Sequence, residues 1–146
     1  MSGGAALVRC ALLRRTGLFD PGYFAYYEDV DLSLRAARAG SVSWYAGRAI
    51  ARHRFGATAG SGSARQRFLL GHGHLRTLAL HQPVLRAAAL VPLTAAYRVA
   101  VKMPLELLRG RPALALAELR AAVVGTAAAL RALPARLRKV PPGADP

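Results

Sequence analysis

Cysteine is all but missing from this sequence: Cys10 is the only one in 146 residues. That excludes an internal disulfide framework and a thiolate zinc cluster. Placed within the apolar run from Ala5 to Leu13, Cys10 is expected to be a buried, inert thiol. Acids are scarce too, with seven Asp and Glu against twenty-one Lys and Arg, a net charge of +14. Long uninterrupted apolar runs are also lacking. The stretch Ala87 to Tyr97 is closed by Arg86 and Arg98, about half the ~20 residues that a membrane span needs. Ala113 to Leu130 is broken by Glu118 and Arg120. Both stretches are expected to be amphipathic or buried helices. The first arginine follows the opening apolar stretch, the reverse of a secretory signal. A reducing, cytoplasmic compartment is the expectation.

What is abundant is alanine, leucine and arginine. The hydrophobic fraction of 53% allows a packed core, but alanine buries little area, so that core should be thin. The excess arginine attracts polyanions, whether nucleic acid, anionic lipid or phosphorylated substrates. The chain changes character near Gly62. Residues 1–62 mix short apolar runs with glycine and aromatic turns, an α/β texture. Residues 63–139 read as basic helices, and 140–146 as a disordered Pro- and Gly-rich tail.

Within the first part, Gly4 to Cys10 predicts a short strand, and Phe19-Asp20-Pro21-Gly22 a turn in which Gly22 permits a positive φ. Asp29 to Ala39 predicts a helix with acids in its first turn and Gly40 just beyond its end. Val42–Tyr45 and Ala49–His53 predict two more strands, and Gly56–Ser63 a flexible loop. Helices are then expected over Ala64–Leu80, Val84–Val101 with a kink at Pro92, and Ala113–Leu133.

Four of the seven acids, Asp20, Glu28, Asp29 and Asp31, fall in one twelve-residue window among Phe19, Tyr23, Phe24, Tyr26 and Tyr27. Two readings are open from spacing alone. In one, Glu28, Asp29 and Asp31 simply complement a helix N-terminus, with Asp31 pairing Arg35 at i,i+4. Alternatively, a carboxylate acts as general base on a hydroxyl, beside aromatic walls suited to a sugar's C–H face.

The run from Gly17 to Gly40, with Glu28-Asp29-Val30-Asp31-Leu32 at its centre and Gly4 to Arg9 before it, resembles the acceptor half of family 2 glycosyltransferases. The likeness is greatest to their rhamnosyltransferase-like branch. It implies an α/β chain: the acceptor-side part of a GT-A, Rossmann-like domain, followed by a basic helical extension. It also implies inverting transfer from a nucleotide-sugar donor to a glycan or lipid-linked acceptor, with Asp29 as base. By the same resemblance Glu28, Asp31, Asp20 and Tyr26 bind or orient the acceptor. His53 reaches a divalent metal, Mg or Mn, and Arg65 and Arg67 contact phosphate. The family's nucleotide-binding half, with its Asp-x-Asp metal motif, comes before this region. None of it precedes Gly4 here, so the expectation is a chain inactive without that half, which would hold most of the metal.

His72 and His74 point to different helix faces and have no nearby acid, which argues against a metal site. His81 suits a helix C-terminus. The C-terminal arginines alternate with leucine and alanine. This supports either peripheral binding to the inner face of the cell membrane or a solvated face. The competing function is therefore a basic helical module that binds anionic lipid without catalysis, nucleic acid being the least favoured partner.

Overall fold

A computed structural model describes residues 3–53 and 59–138. Every regular element among them is helical, which corrects the expected α/β architecture. The helices are α1 (Cys10–Thr16), α2 (Glu28–Arg38), α3 (Ala64–His81), α4 (Val84–Tyr97), α5 (Met103–Leu108) and α6 (Pro112–Arg138), with a π-helical stretch Arg98–Lys102 joining α4 to α5.

The three expected strands are not formed. The segment before Cys10 is irregular and leads into α1, leaving Leu7 and Cys10 exposed. Cys10 is thus not the buried thiol expected. Residues 41–46 and 49–53 have no ladder partner, and Trp44, Tyr45 and Ile50 are 90, 94 and 91% exposed. The reason is physical. An isolated segment gains nothing from β-propensity, because that propensity expresses packing against cross-strand neighbours.

The helical half matches the sequence more closely. Ser63 caps α3 by accepting from the Gln66 N–H at 3.0 Å. Helix α2 closes with Gly40 at φ 74° and the Ser41 N–H on the Ala36 carbonyl at 3.0 Å, the glycine stop expected. Pro92 lies inside α4 without ending it. Gly60 and Gly62, in the expected Gly56–Ser63 loop, have positive φ. Residues 54–58 of that region lie outside the described residues, as does the expected tail over 140–146.

Helix α3 packs along α6, and small residues set the approach. A Cβ on Gly71 would lie 2.5 Å from the Ala121 methyl, and one on Gly125 2.7 Å from Leu75 Cδ1. The core is formed by Leu75, Ala79, Val91 and Ala129, flanked by Leu78, Ala95 and Leu133. It is as thin as the composition requires, with Leu75 its largest fully enclosed apolar member.

The path from Val84 through the π-helical stretch to Leu108 is one 25-residue helical run containing an 18-residue window of mean hydropathy 1.5, and Pro112–Leu133 adds 22 residues with such a window at 1.6. Both are long and apolar enough to cross a membrane by length and composition alone. The expected helices Val84–Val101 and Ala113–Leu133 likewise run through Arg98, Glu118 and Arg120, and the first continues to Leu108.

Because the core is so small, Leu75 should carry an unusual share of it. Leu75→Ala is expected to cost ~2–5 kcal/mol, measured by chemical denaturation followed by circular dichroism. Leu85→Ala, at an 86% exposed position, should be within ~0.5 kcal/mol of the parent.

Candidate functional site

The four clustered acids separate into two that brace the fold and two that face the loop. Asp31 is 2% exposed. Its Oδ2 accepts from Arg35 Nε at 2.9 Å and Nη2 at 2.6 Å, the i,i+4 pair anticipated from spacing. Its Oδ1 faces His81 Nε2 at 2.8 Å. Arg38 lies 2.7 Å from His81 Nδ1 and also bonds the His81 carbonyl at 2.8 Å. A guanidinium can only donate, so Nδ1 accepts and Nε2 carries the hydrogen that Asp31 receives. Burial pushes the Asp31 pKa up, but hydrogen bonds from His81 and then Arg35 pull harder, and the net value lies below the usual carboxylate range. Arg35 also donates to the carbonyls of Thr16, Gly17 and Leu18 at 2.6, 3.2 and 2.9 Å. This one carboxylate therefore ties α2 to the α1–α2 loop and to the end of α3.

Asp20 braces the other side. It accepts the Gly22 N–H at 2.7 Å and pairs with Arg76 of α3 at 2.7 Å. The Arg76 guanidinium lies 5.3 Å from the Tyr23 ring centroid. The Tyr23 hydroxyl meets Thr77 Oγ1 at 2.9 Å, and burial raises its pKa to about 12. Gly22 is needed for space here: a Cβ would overlap Arg76. The positive φ expected at Gly22 falls instead on Tyr26 and Tyr27, at 66° and 71°.

Two successive non-glycine residues in the left-handed region are costly, about 1–3 kcal/mol each, and such strain concentrates at functional sites. Contacts with α3 hold them there. Gln66 Nε2 donates to the Tyr26 hydroxyl at 3.1 Å, and Tyr27 stacks on His74 with centroids 5.6 Å apart. Gly73 supplies the room, because its Cβ would lie 2.9 Å from the Tyr26 carbonyl oxygen. Burial lowers the pKa of both His72 and His74, aided by Arg76 for the first and by Arg98 and Lys102 for the second.

Glu28 and Asp29 follow this strained pair directly. One carboxylate oxygen of Glu28, Oε2, is buried with no hydrogen-bond partner. Asp29 is half-buried, its Oδ2 accepting the Gly3 N–H at 2.7 Å and its Oδ1 the Val30 N–H at 2.8 Å. A Cβ on Gly4 would lie 3.3 Å from His53 Nδ1, and one on Gly3 3.3 Å from Asp29 Cβ. The Gly3-Gly4 dipeptide thus runs against Asp29 with one residue and against His53 with the next. Neither has room for a side chain without a shift.

Among the described residues no three His, Cys, Asp or Glu side chains converge, so His53 is not part of a three-ligand cluster there. Arg65 is exposed, its guanidinium 5.1 Å from the Phe24 ring centroid. Arg67 turns away toward Glu118 at 3.3 Å and Glu106 at 3.5 Å. The two arginines expected to contact phosphate thus serve different faces of α3.

Sequence reasoning missed this second acidic centre, where Glu118, fully buried, also meets Arg98 at 2.5 Å. The available signal was that Glu106 and Glu118 are the only acids in the described helices after α2. Comparison of the chain with family models, curated proteins and solved structures finds no match.

The Asp31 geometry fixes a pH dependence. The folded-state pKa is depressed, so the unfolded chain binds the proton more readily. The stabilisation is present above the unfolded value of ~3.9 and is lost as pH falls through the lower folded value. Asp31→Asn should cost about 3 kcal/mol at neutral pH. It should also flatten the fall in urea midpoint between about pH 5 and pH 2 relative to the parent.

Proposed function

We propose that the loop and helix start around Asp29 form the acceptor side of a sugar transferase that uses a nucleotide-sugar donor. The proposal concerns this site and not an α/β architecture, which the described residues do not adopt. The observation that carries it is the placement of the Asp29 carboxylate beside strained Tyr26-Tyr27, with Gly3-Gly4 linking it to His53. Asp20 and Asp31 are occupied by Arg76 and by Arg35 with His81. Asp29 makes no ion pair among the described residues, and its recorded partners are backbone N–H groups.

In the proposed reaction an acceptor hydroxyl lies against the Asp29 carboxylate and attacks the anomeric carbon of the donor sugar. The new C–O bond forms as the bond to the diphosphate breaks. The hydroxyl proton passes to Asp29, and the diphosphate leaves with its electron pair. Such a base contributes ~10²–10⁴ in rate. Tyr26 and Phe24 offer faces for the acceptor ring, and Glu28 a second carboxylate next to the base. The nucleotide is to be held by elements outside these residues. Any metal would need ligands from there too, with His53 contributing at most one.

Membrane association fits the same reading. Leu85, Leu93, Leu108, Leu116, Val123 and Leu130 are all more than half exposed along α4–α6. Arg109 and Arg111 flank the turn between the two apolar runs. This face supports placement on the inner surface of the cell membrane, where a lipid-linked acceptor would be presented. The same observation favours the second reading, a lipid-binding module without catalysis.

Asp29→Asn separates the two readings. In cells that retain the native locus, the exchange should lower sugar incorporation into envelope glycan by ~10²–10⁴. Vesicle flotation of the purified chain should be unchanged. Undiminished incorporation with intact flotation would reject the base role and leave the lipid module.

A further inference from the structure

On the side of α3 where Arg67 points, a cavity of about 190 Å³ opens between Gly62, Ser63, Gln66, Arg67, Arg98 and Lys102. Its walls come from the start of α3, whose lining N–H groups are bonded within the turn, and from the π-helical stretch, so its positive potential comes from the side-chain cations of both. Arg98 is 6% exposed, and its Nε–H is buried without an acceptor. The guanidinium lies under α3 because Gly71 leaves space. A Cβ there would come within 2.7 Å of Arg98 Nη1. The wide turn of the π-helical stretch is a feature often found at functional sites.

Charge accounting points to a missing partner. Glu118 is approached by Arg98 at 2.5 Å, Arg67 at 3.3 Å and Lys102 at 4.0 Å. Glu106 is approached by Arg67 at 3.5 Å, Arg109 at 3.6 Å and Arg111 at 3.9 Å. Five cations thus share two carboxylates. Only Arg98 among them is buried; it is paired with Glu118, and its Nε–H is the donor left without an acceptor. A single chloride is a poor match for a site this wide and this rich in donors. Arginine forks suit tetrahedral oxyanions.

We propose that this cavity binds a phosphate or diphosphate group, held by Arg67, Arg98 and Lys102. The reading of Asp29 as a transferase base bears on the source of that group, a nucleotide-sugar diphosphate or the phosphate of a lipid carrier, while the site itself rests on the geometry above. Gln66 joins the two regions. It bonds the Gly62 N–H at 2.7 Å on the cavity side and the Tyr26 hydroxyl at 3.1 Å on the acceptor side. An anion that ordered the start of α3 would therefore also bear on the strained loop before Asp29.

Calorimetric titration of the full chain with pyrophosphate tests the soluble source. Flotation with phosphatidylcholine vesicles carrying either phosphatidic acid or an equal charge of phosphatidylglycerol tests the lipid source. Lys102→Gln changes a side chain that is one-third exposed, so it should fold. It should weaken binding roughly tenfold or more, as should Arg67→Gln, while Lys102→Arg retains binding and Arg131→Gln on α6 has no effect. Variant-sensitive pyrophosphate binding supports the site with a soluble diphosphate as its ligand. A variant-sensitive preference for phosphatidic acid alone supports it with a lipid phosphate. Binding absent for both probes, or equally weakened by Arg131→Gln, overturns the proposal. Neither readout needs Asp29 or a sugar, so a failed transfer assay and a failed binding assay remain distinct results.

Discussion

The Asp31 carboxylate, 2% exposed, stands between an arginine of its own helix and a histidine at the end of another. One oxygen receives the Arg35 guanidinium and the other the His81 imidazole, so the same group fixes the pitch of α2 against α3. Arg35 passes the restraint on to three carbonyls of the α1–α2 loop. Without it, the approach of Tyr23, Tyr26 and Tyr27 to α3 would depend on a handful of aromatic contacts. With it, and with Arg76 gripping Asp20 at the other end, the aromatic loop is pinned at both sides and its backbone is held in a strained form. Glu28 and Asp29 are the carboxylates left outside these ion pairs.

A strongly basic chain meets the same problem twice: too few acids for its arginines. In the first part, each of two acids satisfies more than one donor and becomes a structural joint. In the helical part, Glu106 and Glu118 are shared among five cations and sit buried where α3, the π-helical stretch and α6 meet. Buried ion pairs of this kind contribute little net stability over apolar packing but punish loss of one partner severely. They therefore act as devices of register. The close approach that makes them possible comes from Gly71, Gly73 and Gly125, where small residues let α3, α6 and the loop come together.

How much of this was legible in the sequence depended on range. Local rules worked where one helix contains its own cause. Ser63 caps α3, Gly40 ends α2, and Asp31 meets Arg35 at one helical turn. The strands were misjudged because β-propensity at Val42 to Tyr45 and at Ala49 to His53 counts only when a neighbour pairs with it, and the described residues supply none. The apolar runs around Arg98 and Glu118 were read as interrupted because the two charges, twenty residues apart in sequence, neutralise each other only after α6 folds back. Gly22 shows the same limit. Its turn was visible, but the reason for glycine is an arginine from α3. For the candidate site, the cluster of acids was visible from spacing. Which of them would be consumed by ion pairs required the positions of Arg76 and His81, more than fifty residues and fifty residues away respectively.

The central claim is that the strained loop and the start of α2 present a surface for a sugar. Amide chemical-shift mapping of the labelled chain during titration with a panel of glycan oligosaccharides tests it without needing the donor. The account predicts saturable shifts confined to residues 24–31 and to Gln66 and His74 behind them, lost in Tyr26→Ala. Shifts spread along the arginines of α5 and α6, or none in residues 24–31 with any sugar, would contradict it.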